Sequence, residues 1–299
     1  MSASSPGDVS FACEGAPRDL GLDQGVALRA EVRRAVATLP WRARIEAALG
    51  GALADPVSAR VDRDLRRHFP HMAERLDGLA RGAGARSGEL SALLARELHA
   101  AVAAGPAASP GLLAALAAQD GGPAVLGRTL PEAGVVTRHS APDHDFASRE
   151  LALSWLVPAL GGRNEQGLCV VGASRPSEGD FDGGCAAPAV LLVQDCLQRF
   201  DSTDKAIEWC EGRPAGGRAS LLVADAAGDV AEVEIDGDDR RVRRPSDGVL
   251  VVSRTPAEGE ALEKALREAR GGAADALREA LAVGGEPVAL FEARIPDSR

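Results

Sequence analysis

The sequence changes character at a Pro- and Gly-rich stretch, Ala103–Gly111 (AAGPAASPG). Before it, apolar residues recur at helical spacing, as in the long amphipathic segment Pro17–Leu39. After it, short apolar runs bounded by Gly, Pro and Asp are typical of strands. A helical first third, followed by two groups of strands with paired helices between and after them, predicts an α+β fold in which helices cover sheets.

These patterns predict the following elements. Besides Pro17–Leu39, the predicted helices are Trp41–Leu49, Val57–His68, Pro70–Ala80, Ser87–Ala103, Pro188–Phe200, Ser202–Cys210, Pro256–Arg270 and Ala273–Ala282. The predicted strands are Val9–Gly15, Leu112–Ala118, Ala124–Gly127, Val135–Arg138, Leu151–Leu156, Leu168–Gly172, Ala219–Ala224, Asp229–Ile235, Arg240–Arg243, Val249–Ser253 and Pro287–Arg294. We place the boundary after residue 108, so that residues 1–108 form a helical N-terminal segment and residues 109–299 a core, integrated into one fold.

Charge and cysteine content exclude several classes of protein. The chain has 299 residues, with 34 Lys and Arg against 44 Asp and Glu, a net charge of −10. Because phosphate binding needs clustered basic side chains, this balance argues against a nucleic-acid or membrane-surface partner. The five cysteines form no CxxC pair, so neither a disulfide framework nor a zinc knuckle is indicated. Residues 1–12 lack a signal pattern and no run approaches a membrane helix, so we expect a cytoplasmic protein.

Few motifs carry chemistry by themselves. The sequence has no GxGxxG after a strand, Walker A loop, HExxH or GxSxG, and we expect no cofactor and no metal. His68 and His71 are three apart, but no further ligand set has metal-binding spacing, which favours packing at a helix end. The loop RHSAPDHD (Arg138–Asp145) is either a solvated turn or a substrate-facing loop. Cys185 follows two glycines and is the cysteine with the most accessible thiol.

Four stretches carry a family resemblance through their order and spacing. They are GAPRDLGLDQG (Gly15–Gly25), FPHMAERLDGLARGAG (Phe69–Gly84), the region from RHSAPDHD to GRNEQGL (Arg138–Leu168), and the region from PAVLLVQDC to GDVAEVEI (Pro188–Ile235). Together they resemble the peptidase C45 family of the N-terminal-nucleophile hydrolases, which is itself similar to the penicillin V acylases. The resemblance covers most of the chain.

The resemblance implies a fold and a chemistry. The fold is a four-layer αββα sandwich preceded by a helical segment. The chemistry is hydrolysis or acyl transfer at the amide of a small acylated amine. A precursor cleaves itself before a Cys, the freed thiol attacks the carbonyl, the new α-amino group takes the proton and an Asn supports the oxyanion.

This sequence departs from the family at the nucleophile. Spacing from the Arg of the family turn, here Arg128, places Leu112 where the family has its Cys. Asn164 in GRNEQG matches the oxyanion Asn, and Arg254 follows a strand at a position that lines the family's pocket. Because leucine cannot attack a carbonyl, we predict that self-cleavage and thiol chemistry are lost.

Three hypotheses for the function follow. The first is a divergent homologue, deficient in its nucleophile, whose pocket around Arg128, Asn164 and Arg254 binds a small acyl-amine or carboxylate ligand. The second is an active hydrolase or acyltransferase with a displaced nucleophile, for which Cys185 is the candidate; Cys185 and Arg254 are also the candidate substrate-binding residues. The third is a non-catalytic partner of an active paralogue. A homo- or hetero-oligomer is compatible with each of them.

Overall fold

The structure is a computed structural model that describes residues 9–40, 56–98, 111–118, 122–131, 134–175, 184–245, 247–269, 272–282 and 285–296. The predicted helix Trp41–Leu49 lies outside these ranges, as does most of the Ala103–Gly111 stretch. The described residues form helices and strands in the alternation that the sequence predicts, with two differences.

The helices include the first difference. They are α1 (Pro17–Ala27), α2 (Arg29–Ala37), α3 (Pro56–His68), α4 (Pro70–Ala83), α5 (Ser87–Leu98), α6 (Leu191–Arg199), α7 (Thr203–Gly212), α8 (Pro256–Glu268) and α9 (Ala273–Leu281). The predicted helix Pro17–Leu39 is two helices, because Leu28 at φ −116° and ψ 27° leaves the helical conformation. No helix in the described ranges is long and apolar enough to cross a membrane.

The strands include the second difference, since β6 has no predicted counterpart. The strands are β1 (Ser10–Gly15), β2 (Leu113–Leu116), β3 (Ala124–Thr129), β4 (Val135–Pro142), β5 (Ser148–Leu153), β6 (Ala159–Asn164), β7 (Cys169–Arg175), β8 (Arg218–Ala224), β9 (Val230–Asp236), β10 (Asp239–Arg243), β11 (Val249–Val252) and β12 (Val288–Ala293). They form an eight-stranded sheet in the order β1-β4-β5-β6-β7-β8-β9-β10 and a four-stranded sheet in the order β11-β2-β3-β12. All neighbouring strands are antiparallel except β1 and β4, which are parallel.

The buried side chains divide into three layers of apolar contact. One layer lies between the two sheets and contains Leu113 and Leu126 from the small sheet and Val171 from the large one. A second joins the outer face of the small sheet to α8 and α9. The third and largest joins the outer face of the large sheet to the helices that precede β2 and to α6 and α7. The order helix–sheet–sheet–helix confirms the predicted four-layer αββα sandwich.

The N-terminal segment is built into the large sheet. Its strand β1 pairs with β4 at the sheet edge, with Ser10 opposite Thr137 and Gly15 opposite Pro142. Helices α1 and α4 then pack against each other over this edge. The segment before residue 108 and the core therefore share a hydrogen-bonded sheet.

Glycines set the close approach of α1 and α4. A Cβ atom built on Gly21 would lie 1.9 Å from the Arg75 carbonyl oxygen, and one on Gly78 would lie 2.0 Å from that of Arg18. Gly25 and Gly82 are also in close backbone contact one turn further along. The backbones of the two helices are therefore in direct contact, and side chains larger than that of glycine at these four positions would hold the helices apart.

Candidate functional site

The start of β2 is the position that the family resemblance assigns to the nucleophile. Leu112 precedes the strand, and its N–H donates to Thr129 Oγ1 at 3.0 Å while its carbonyl accepts from the Thr129 N–H at 3.0 Å. Arg128 on β3 and Val252 on β11 both lie opposite Leu113, the first residue of β2. The ends of three neighbouring strands thus meet at this point.

Arg128 is a buried cation on the face between the sheets. Its Nη1 donates to the Leu160 carbonyl at 2.8 Å and to the Gly172 carbonyl, both in the large sheet, and its Nε donates to the Thr129 carbonyl at 3.1 Å. The side chains in the described ranges offer it no carboxylate partner within salt-bridge distance. Burial lowers the pKa of Arg128 to about 10. Among the described residues only backbone carbonyls accept hydrogen bonds from this guanidinium, so its positive charge can be offset by an anionic or polarised oxygen.

The residue that faces Arg128 is Gly111, whereas the Leu112 side chain points the other way. A Cβ atom built on Gly111 would lie 3.2 Å from Arg128 Nη2. The Leu112 side chain is buried with residues of α8 and α9, on the outer face of the small sheet. Since strand residues alternate between faces, position 111 rather than 112 meets the guanidinium.

This placement predicts different chemistry for thiols introduced at the two positions. In a Cys185→Ser background, the Gly111→Cys thiol is expected to ionise about one pH unit or more below the Leu112→Cys thiol. The neighbouring Arg128 stabilises the thiolate at the first position, and apolar surroundings destabilise it at the second. The pH dependence of alkylation by iodoacetamide, followed by mass spectrometry, measures both pKa values. Identical profiles would contradict the placement.

Arg254 lies at the same end of the small sheet, but its charge is already paired. It follows β11 by two residues and forms salt bridges with Glu258 at 2.7 Å and with Glu286 at 3.2 Å. The hydrogen bond with Glu258 raises the pKa of Arg254. Its positive charge is therefore already compensated by two carboxylates in the absence of a ligand.

Asn164 lies away from this position and its amide is fully used. Its Nδ2 donates to the carbonyls of Leu197 at 2.9 Å and Phe200 at 2.7 Å, and its Oδ1 accepts from the N–H groups of Gln166 and Leu168. Leu160, which contacts Arg128, and Asn164 are the second and last residues of β6, roughly 13 Å apart at strand spacing. In this conformation both N–H groups of the Asn164 amide are bonded to carbonyls, so neither is left for an oxyanion, and the structure does not place Asn164 beside Arg128.

Cys185 is separated from Arg128 by the large sheet. It packs half-buried against the core on the helix-covered face, near Asp64 and Arg240. Burial raises the pKa of the Cys185 thiol, which reduces the fraction present as thiolate. The geometry therefore gives no support to Cys185 as a displaced nucleophile or as a substrate-binding residue beside Arg128.

The sequence patterns do not predict a buried polar network on the other, helix-covered side of the large sheet. Arg138 and Glu150, opposite each other on β4 and β5, are both 0% exposed and form a salt bridge of 2.6 Å. Gln24 and Gln194 accept hydrogen bonds from the Arg138 guanidinium. A signal was present in the strand alternation, since Arg138 shares a strand face with buried Val136.

Metal binding finds no support within the described ranges. No group of three or more His, Cys, Asp or Glu side chains in them is placed to hold a metal ion. His68 and His71 lie at the end of α3 and the start of α4, and His71 bonds to Asp195 instead of sharing a ligand set. The first part of the RHSAPDHD stretch, expected to be a loop, belongs to β4, whose His139 lines one pocket, and residues 143–145 of the loop that follows line another.

Comparisons with known proteins support the fold. No protein-family model and no curated protein matches the sequence. The structure is similar to that of a Caenorhabditis elegans N-acylethanolamine-hydrolyzing acid amidase ortholog, with a TM-score of 0.53 and 14% identity over 62% of this chain and 94% of that one. The chain thus has the fold of the N-terminal-nucleophile hydrolases.

Two weaker similarities add nothing to that conclusion. Penicillin V acylase from Agrobacterium tumefaciens has a TM-score of 0.38 and 18% identity, over 58% of this chain and 65% of that one. A mutant of conjugated bile acid hydrolase from Clostridium perfringens has a TM-score of 0.34 and 17% identity, over 51% of this chain and 57% of that one. This chain spans less than two thirds of the length of either.

Proposed function

We propose that the chain is a nucleophile-deficient homologue of the C45-type amidohydrolases and acyltransferases, and that it binds a small acyl-amide or carboxylate ligand beside Arg128. The observation that supports this proposal is the composition of the strand start next to that guanidinium. Gly111, Leu112 and Leu113 carry no atom that can attack a carbonyl. Since thiol-based hydrolysis needs a nucleophile at this point, neither self-cleavage nor an acyl-enzyme is expected.

Arg128 is the recognition group in this proposal. A guanidinium bonds to a carboxylate through two parallel N–H groups, or to a carbonyl oxygen through one. Nη2 is the nitrogen that a side chain at Gly111 would meet, at 3.2 Å from the Cβ position. A ligand oxygen would therefore approach Nη2 from the side on which Gly111 carries no side chain.

The acyl-amide class is suggested by the solved structure with the shared fold. That protein is described as hydrolysing N-acylethanolamines. An acyl-amide presents a carbonyl oxygen to Arg128, and the corresponding free acid presents a carboxylate. Both forms of one acyl chain therefore belong in the binding experiment.

The first part of the test concerns self-cleavage and turnover. The purified chain is expected to remain one polypeptide with the mass of the uncut sequence, and to release no amine from N-acylethanolamines or N-acyl amino acids. Intact-mass spectrometry and an amine assay measure these two properties. Two fragments divided near Gly111, or steady amine release, would show that a nucleophile acts.

The second part concerns the ligand. At a hundredfold excess over its dissociation constant, a bound acyl-amide or acid stabilises the fold by about 2.7 kcal/mol. Thermal unfolding with each compound is expected to show this shift for the native chain and not for Arg128→Gln. Arg267→Gln is the matched control, because Arg267 lies on the surface in salt bridges with Asp247 and Glu263. A shift that persists in Arg128→Gln would remove Arg128 from the proposal.

A further inference from the structure

A second pocket lies on the opposite, helix-covered side of the large sheet. It has a volume of about 190 Å³ and lies between the start of α1, the first turns of α4 and the loop after β4. Leu20 and Met72 form part of its apolar wall, and His71 and Arg75 contribute charged or polar groups. We call it the α1–α4 pocket. Arg128, which lies between the two sheets, is not among its residues.

Arg75 brings an incompletely bonded cation to this pocket. The residue is 2% exposed, its Nη2 donates to Ser140 Oγ at 3.0 Å, and its Nε has no hydrogen-bond partner in the part of the chain that the structure describes. Its nearest charged neighbours are Arg138 and Glu150, and Glu150 already forms a salt bridge with Arg138. Two buried guanidinium groups thus share one carboxylate, and burial, followed by the like charge of Arg138, lowers the pKa of Arg75 to about 10. An unbonded buried N–H and an uncompensated charge both favour an anion at this place.

His71 provides a second group whose orientation is fixed. Its Nε2 is 2.6 Å from Oδ1 of Asp195, a carboxylate that is 0% exposed and that also accepts a hydrogen bond from Trp209 Nε1 at 3.1 Å. Nε2 is therefore engaged by Asp195, and Nδ1 is the ring nitrogen that can bond to a ligand. A carboxylate ligand can accept a hydrogen bond from Nδ1 when that nitrogen carries a proton as well as Nε2.

The chemistry of the walls narrows the class of anion. Apolar side chains, Leu20 and Met72 among them, face part of the pocket, which suits a short hydrocarbon group. Asp143 and Asp145 are exposed at its rim, and their negative charges disfavour a dianion such as phosphate more than a monoanion. A volume of about 190 Å³ accommodates a small organic anion.

We propose that the α1–α4 pocket binds a small organic carboxylate, with its carboxylate group against Arg75 and His71 and its hydrocarbon group against Leu20 and Met72. This site is separate from the one proposed beside Arg128, and neither depends on the other.

Butyrate is the probe, with butyramide as its uncharged counterpart of the same shape. Thermal unfolding and calorimetric titration of the full chain, at constant ionic strength, are expected to show saturable binding of butyrate and none of butyramide. His71→Gln is expected to raise the dissociation constant about tenfold or more, since a charge-assisted hydrogen bond is lost. His68→Gln is the matched control and is expected to leave it unchanged, because His68 does not line the pocket.

Two further variants keep the outcome decisive. Arg75→Gln is expected to abolish binding, with Arg81→Gln, an exposed arginine on the same helix, as its control. If Arg75→Gln does not fold, the double variant Asp143→Asn/Asp145→Asn tests the site by an effect in the opposite direction. Removing the two negative charges at the rim is expected to lower the dissociation constant of butyrate about twofold or more.

The inference is overturned if butyrate and butyramide act equally, if neither gives a saturable response, or if His71→Gln and the rim variant leave the dissociation constant unchanged. A response lost in Arg128→Gln but kept in His71→Gln would assign the carboxylate to the other site. That outcome would support the proposed function and overturn the α1–α4 site.

Discussion

Replacing Glu150 by Gln is expected to lower the free energy of unfolding by about 3–5 kcal/mol, because it leaves a buried guanidinium without its carboxylate. Glu150 and Arg138 are both 0% exposed, and their Oε2 and Nε atoms are 2.6 Å apart. The Arg138 guanidinium has no access to water that could replace the lost partner. Chemical denaturation of the native and Glu150→Gln chains measures the difference.

The matched control for this substitution is Glu234→Gln. Glu234 also pairs with an arginine, Arg175, at 3.3 Å, but their side chains are 26% and 32% exposed. Water can solvate either group after substitution, so the expected loss is within about 1 kcal/mol. Equal losses in the two variants would show that burial of the Arg138–Glu150 pair does not set its contribution.

The same carboxylate predicts a dependence of stability on pH. Burial alone would raise the pKa of Glu150, but the charges of Arg138 and Arg75 outweigh it and lower the pKa below 4.5. Hydrogen bonds from Ser148 and Gln194 act in the same direction. As the pH falls, the unfolded chain therefore binds this proton first. The contribution of ionised Glu150 to the free energy of unfolding is complete above about pH 5 and decreases below it. The free energy of unfolding of Glu150→Gln is therefore expected to fall less steeply with decreasing pH than that of the native chain.

Local sequence patterns predict most of the helices and strands, because the apolar residues within each element recur at the spacing of a helix or of a strand. Strand β6 is the exception, since its sequence ALGGRN contains two glycines that look like a turn. In the structure these glycines serve close packing: a Cβ on Gly161 would lie 2.8 Å from Val171 Cγ1, and one on Gly162 would lie 2.7 Å from the Arg149 carbonyl. Such contacts come from other strands, so no window of neighbouring residues contains the signal.

The sequence predicts only that part of the candidate site whose residues are brought together by their positions along neighbouring strands. The family resemblance places the strand start at Leu112 near Arg128, and the pairing of β2 with β3 brings this end of the strand to Arg128, where Gly111 and not Leu112 faces the guanidinium. Asn164 does not join them, because its amide bonds to Leu197 in α6, to Phe200 just after that helix and to its own turn. Hydrogen bonds of this kind depend on the packing of α6 onto the sheet, which residue spacing does not encode.

Gly78→Ala is expected to lower the free energy of unfolding by about 2–3 kcal/mol, although alanine favours a helix by about 1 kcal/mol. The added Cβ would lie 2.0 Å from the carbonyl oxygen of Arg18, an atom of the α1 backbone that cannot rotate away. Helices α1 and α4 would therefore have to separate. Because α4 carries His71 and Arg75, the same variant is also expected to weaken butyrate binding in the α1–α4 pocket.

Gly212→Ala is the control for this effect. Gly212 is the last residue of α7, and a Cβ atom built there would meet no described heavy atom within 4 Å beyond its chain neighbours and its own helix backbone. Without a steric cost, helix propensity leaves this variant as stable as the native chain or slightly more stable. Chemical denaturation of both variants shows whether a loss of unfolding free energy in Gly78→Ala comes from the steric contact with α1 or from the Gly-to-Ala change itself. A Gly78→Ala chain as stable as Gly212→Ala would mean that the backbone contact between α1 and α4 is not needed for the fold.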